Sequence, residues 1–136
     1  MVSTAAMRTP VICAVARTPI GKYRGVFSEL SAVELGIYAV KGLIENVGLN
    51  SESNIIDEVL MGQVLQAGAG QNPARQVALG AGLPVSTPST TINKVCGSSL
   101  KSVMIASSAI RAGEYRAVIA GGMESMTNAP HIVRGY

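Results

Sequence analysis

Tryptophan is absent from these 136 residues, phenylalanine and histidine occur once each, and cysteine occurs twice. Each shortage closes a class. A structural zinc site takes about four Cys or His ligands. Cys13, Cys96 and His131 are too few and show no paired spacing, so no metal site is expected. The two cysteines lie far apart, and Cys13 sits in an apolar run that reads as a buried strand. Reduced thiols in an intracellular protein fit better than a disulfide framework. Charge is scarce too, at 14% of the chain. The net charge of +3 arises from basic residues scattered singly between Arg8 and Arg134. No block or stripe is there to track a phosphate backbone, so no nucleic-acid partner is expected. No apolar run reaches the roughly 18 residues that a membrane-spanning helix needs. Residues 1–9 form a short N-terminal arm, too polar for a secretory signal. The default compartment is the cytoplasm, with a leader for another compartment left open.

What the chain does have is small and aliphatic. Hydrophobic residues make up 48% and glycines number 15, which suits layered α/β architecture with helices lying close on a sheet. The length fits one domain, or most of one. So little charge also hints that further protein covers part of the surface.

Residues 10–16 (PVICAVA) form an unbroken β-branched run, the pattern of a strand buried on both faces. Residues 20–30 read as loop. Ser31 and Glu34 make a capping box, which starts a helix. Val33, Ile37, Val40, Ile44 and Val47 then recur at helical spacing, and Gly48 closes it. A second strand falls within residues 55–65. Asn72-Pro73 opens a short helix that stops near Gly80 and Gly82. Residues 89–93 (STTIN) form a short β segment. A third helix follows over residues 97–112, with Leu100, Val103, Met104 and Ile110 on one face and burial on several sides. Residues 116–120 (RAVIA) give a fourth strand, and the tail is loop. The order β-α-β-α-β-α-β with short connections predicts a mostly parallel sheet with helices on both faces.

Cys96 stands out by placement. It falls at a strand-to-helix turn with Gly97 beside it. A helix N-terminus offers unpaired N–H groups and partial positive charge, which favour thiolate over thiol and could steady an oxyanion. The same turn lies at the C-terminal edge of the sheet, where α/β proteins place ligands. Most free cysteines are small buried hydrophobes, and spacing alone leaves both readings open.

The segment NKVCGSSLKS (residues 93–102) resembles the acyl-enzyme signature of thiolases. Four further blocks match that family in its own order: ARTPIG (16–21), MGQVLQAG (61–68), GQNPARQ (70–76) and AGGMESM (120–126). The resemblance implies a three-layer α/β/α thiolase N-terminal domain over residues 10–124, apparently incomplete, with residues 125–136 beginning a truncated loop region. It implies Cys96 as catalytic nucleophile in a ping-pong acyl transfer between CoA thioesters, of the acetyl-CoA acetyltransferase type. It also implies CoA thioesters as substrates with no permanently bound cofactor, and a homodimer or tetramer as the complete enzyme. Mitochondrion and peroxisome stay open beside the cytoplasm. No residue is assigned to CoA binding.

The family's activating histidine, second cysteine and oxyanion site lie in its C-terminal half, and none is matched here. His131 reads as an ordinary loop histidine and Cys13 as core packing. The isolated chain is therefore expected to be inactive, or to act with a C-terminal half supplied in trans. Without the family's further strand, the RAVIA strand would be left as an edge. A ketoacyl synthase and a non-catalytic thiolase-derived fragment are the alternatives. Gly121-Gly122 lacks a phosphate-loop pattern, and Met61, Met104, Met123 and Met126 read as packing.

Overall fold

The computed structural model describes residues 8–50 and 53–135. Most of the expected N-terminal arm, residues 1–7, lies outside them, as does Tyr136. Six elements follow in order: α1 (Ala32–Asn46), β1 (Glu58–Gly62), α2 (Pro73–Gly80), β2 (Ser89–Ile92), α3 (Ser98–Ala112) and β3 (Val118–Gly122). Among the described residues the sheet has three parallel strands in the order β2-β1-β3. The α/β class and parallel sheet match the expectation.

The local signals act as anticipated. Ser31 caps α1 by accepting from the Glu34 N–H, and the Glu34 carboxylate accepts in return from the Ser31 N–H at 2.8 Å. The Ser31 hydroxyl, which also donates to that carboxylate at 2.7 Å, and then the Ser31 N–H hold the Glu34 carboxyl below its ordinary range. Asn72 caps α2, accepts from the Thr91 hydroxyl at 2.7 Å and donates to the Ser89 carbonyl at 2.9 Å. The start of α2 is thereby tied to β2.

Alternation along β1 separates the layers. Val59 and Met61 enter the main core with Val40 and Ile44 of α1 and with Ala74, Val77 and Ala78 of α2. Gly62 faces α3 instead, and a Cβ there would lie 2.6 Å from the Ser98 carbonyl carbon. Side chains anchor β3 beside β1 at both ends. The Asp57 carboxylate accepts from the Arg116 and Ala117 N–H groups at 2.6 and 3.0 Å, and Glu124 accepts from the Val64 N–H at 2.9 Å.

Two expectations are corrected. Residues 10–16 form no strand, and Val11, Ile12 and Val15 are exposed. An apolar run becomes a strand only where a neighbour completes its hydrogen-bond ladder. Here β1 is paired on both sides, and among the described residues β2 and β3 have no further strand partner. Cys13 is accordingly exposed rather than packed in a core.

The second correction concerns α3. It buries Ser98, Ser102, Ala106 and Ala109, while Leu100, Val103 and Met104 face outward. Small side chains win the sheet-facing side because the helix lies too close for large ones. Gly122 shows the same closeness, since a Cβ there would overlap the Ser99 hydroxyl. The methionines divide likewise: Met61 and Met123 are buried, whereas Met104 and Met126 are exposed.

Candidate active site

The sheet ends where the chemistry is expected. β2 finishes at Ile92, α3 starts at Ser98, and Cys96 sits on the turn between them with its side chain exposed. Because the strands are parallel, this turn lies beyond their C-terminal ends. Gly97 caps α3 without a side-chain hydrogen bond. The Ser98 N–H is taken by the Val95 carbonyl at 3.1 Å, so of the first-turn N–H groups those of Ser99 and Leu100 carry the partial positive charge of the helix start without a backbone acceptor.

The turn is held by residues that sequence reasoning passed over. Its left-handed residue is Val95, at φ 50°, and not Gly97, which has an ordinary φ of −91°. A β-branched residue there is strained, at a cost of about 1–3 kcal/mol. Three polar contacts offset that cost. The Asn93 side-chain oxygen accepts from the Val95 N–H at 3.0 Å. The Ser98 hydroxyl donates to the Val95 carbonyl at 2.6 Å and accepts from the Lys94 N–H at 2.8 Å. Ser98 is buried, at 4% exposure. Asn93 also reaches the Val64 carbonyl at 3.1 Å, tying the turn to the segment after β1. The clue available in sequence was the pairing of strand-end glycines, Gly62 and Gly122, with the Ser98-Ser99 start of a helix.

Other sequence candidates lie elsewhere. His131 is exposed in the tail, outside any helix or strand, and is not brought to Cys96 by any hydrogen bond. Cys13 and Cys96 are both free thiols. Among the described residues no group of three His, Cys, Asp or Glu side chains could hold a metal ion. None of their helices is long and apolar enough to cross a membrane. An open cleft of about 420 Å³ lies between residues 16–23, α1 and the segment leaving β3. No residue of the Cys96 turn lines it. Tyr115 and Thr90 both contact the buried Glu58 at the opposite, N-terminal end of β1. That hydrogen bond to Glu58, with burial, pushes the Tyr115 hydroxyl up to about 12.

The structure is thus a parallel α/β sheet with an exposed cysteine at a strand-to-helix turn. The comparison with protein families goes further. Residues 10–135 match the model for "Thiolase, N-terminal domain", and the chain belongs to the thiolase family. It is 51% identical over 129 residues to an acetyl-CoA acetyltransferase of Cupriavidus necator, covering 95% of this chain and 32% of that protein. It is 54% identical over 127 residues to a probable acetyl-CoA acetyltransferase of Escherichia coli, covering 93% and 32%. The mitochondrial acetyl-CoA acetyltransferase of Homo sapiens is 48% identical over 132 residues, covering 97% and 30%. The chain therefore spans under a third of the length of these relatives.

Proposed function

We propose that this chain carries the acyl-accepting half of an acetyl-CoA acetyltransferase, with Cys96 as the nucleophile. The observation that carries the reading is the exposed Cys96 on the uncapped start of α3, inside a family match that runs nearly the length of the chain. The Cys96 thiolate attacks the carbonyl carbon of acetyl-CoA, and the N–H groups without a backbone acceptor at the start of α3 can steady the oxyanion that forms. The carbon–sulfur bond to CoA then breaks. CoA leaves as a thiolate and takes up a proton, and the acetyl group stays on Cys96 as a thioester.

In the second step another acetyl-CoA loses a methyl proton to a base, and its carbanion attacks the acetyl-Cys96 carbonyl. Acetoacetyl-CoA forms and the Cys96 thiolate is released. Thiolysis is the same path reversed, with CoA as acceptor. Splitting the exchange into two half-reactions is what a covalent intermediate accomplishes. Substrates of this reading are acetyl-CoA and CoA, and no permanently bound cofactor takes part. Among the described residues no side chain hydrogen-bonds the Cys96 sulfur. The bases for both steps are assigned to the remaining two thirds of a full-length relative, joined to this chain or supplied by another. The complete enzyme is proposed to be a homo-oligomer in the cytoplasm or an organelle matrix.

Intact-mass analysis after incubation with acetyl-CoA tests this, using the chain alone and together with the C-terminal part of a relative. One acetyl group should appear on Cys96 and vanish in Cys96→Ala, with turnover only in the combined sample. An acetyl group that persists in Cys96→Ala, or maps to Cys13, would sink the assignment.

A further inference from the structure

Residues 93–95, 97 and 99 around Cys96 are exposed or half-buried, yet the polar group that binds the turn together is buried. Ser98 is 4% exposed, and its hydroxyl uses both its donor and its acceptor on the turn's backbone. The acceptor side holds the Lys94 N–H, two residues before the nucleophile, and the donor side holds the Val95 carbonyl, directly before it. A single side chain therefore brackets the peptide units that set the direction of the Cys96 Cα–Cβ bond. Between those contacts sits Val95 in the left-handed region, which a β-branched residue occupies only under strain, and the Gly97 and Ser98 N–H groups close the same turn on the Lys94 and Val95 carbonyls at 3.1 Å each. Ser98 cannot swing away to other partners, because the β1 backbone at Gly62 lies directly beside it.

We infer that Ser98 is a positioning residue for Cys96: its hydroxyl clip holds Val95 left-handed and so aims the thiol across the start of α3. The inference rests on the reading of Cys96 as acyl acceptor, since only then does the aim of that thiol matter. Ser98 itself does not touch the substrate. Its effect passes through the backbone at Val95, which gives the idea a distinctive genetic signature. Glycine takes left-handed angles without strain. A glycine at position 95 should therefore make the clip dispensable for aim, though not for packing.

The test measures alkylation of Cys96 by iodoacetamide at neutral pH, in the full chain with Cys13→Ala to remove the other exposed thiol. Four versions are compared: parent, Ser98→Ala, Val95→Gly and the double variant. Ser98→Ala should slow alkylation about tenfold, as the sulfur turns away from the helix start. The double variant should return to within about twofold of Val95→Gly. A rate unchanged in Ser98→Ala overturns the proposal. So does a double variant as slow as Ser98→Ala, which would mark Ser98 as ordinary packing.

If Ser98→Ala fails to fold, the comparison of Val95→Gly with the double variant decides alone, and a tenfold gap between them overturns it. Acetylation by acetyl-CoA in the combined two-part sample is read separately. Alkylation that behaves as stated beside an unacetylated parent Cys96 leaves the clip standing and removes the acyl-acceptor reading. An acetylated parent with alkylation indifferent to Ser98 does the reverse.

Discussion

At the scale of the residue, Asp57 shows how one carboxylate can fasten a sheet. Its oxygens accept from the Ala117 and Arg116 N–H groups, and the Arg116 side chain lies 3.8 Å away. The backbone hydrogen bonds, Ala117 first and then Arg116, hold its carboxyl below the ordinary value of 3.8. A depressed folded-state value means that the stabilisation is complete above the unfolded-state value and fades as pH falls towards the folded one. Asp57→Asn should therefore lower the melting temperature at neutral pH, and the gap from the parent should close as pH drops below about 4. Thermal melts between pH 2 and 7 check this, and a gap that stays constant would assign the effect to packing. Single residues were unevenly readable from sequence. Ser31 and Glu34 announce their helix because a capping box needs only its own four positions. Cys96 announces its turn for the same reason. Val95 does not, because its left-handed backbone is set by Asn93 and by Ser98, a residue whose burial depends on β1.

At the scale of the element, the spacing between α3 and the sheet governs where Cys96 sits. Gly62 lets the start of α3 rest directly on β1, with room for no further atom. Gly62→Ala should lift that end of the helix, costing about 1–3 kcal/mol of stability by overpacking, and should alter the alkylation rate of Cys96 as well. Gly42→Ala is the control on α1, where a Cβ would meet nothing within 4 Å; it should keep or slightly raise stability. Urea unfolding of both variants separates these outcomes. The same closeness explains why the apolar spacing of α3 misled. Leu100, Val103 and Met104 form an apolar stripe, yet Ser98, Ser102, Ala106 and Ala109 are the ones buried, with Ser98 seated against Gly62. Side-chain size at an interface is a property of two surfaces, and only one of them is written in the helix. The run over residues 10–16 failed for a related reason, since a strand is completed by its neighbour.

At the scale of the whole molecule, apolar surface is left uncovered, on α3 and over residues 10–16 among other places. The outward stripe of α3 includes Leu100 at 66% and Met104 at 50% exposure, and Val11, Ile12 and Val15 are all above 70%. Contiguous apolar surface of this kind favours association. Leu100→Lys combined with Met104→Lys should extend the concentration range over which the chain stays monomeric, as read by sedimentation velocity, with little change in thermal stability. Equal self-association in parent and variant would place the sticky surface elsewhere. The scarcity of charge in the sequence pointed to this outcome, although it could not say which face would be bare.

The pairing of Glu58 with Val118 and of Gly62 with Gly122 carries a consequence for the order in which the molecule is made. A ribosome delivers β1, α2 and β2 well before β3, so the central strand first acquires its β2 neighbour and waits for the other. Until β3 emerges, α3 can rest on β1 but lacks the glycine-lined half of its seat at Gly122. The thiol-bearing turn is thus translated early and finished late. On a nascent chain, its alkylation behaviour should mature only once residues 118–122 have cleared the exit tunnel.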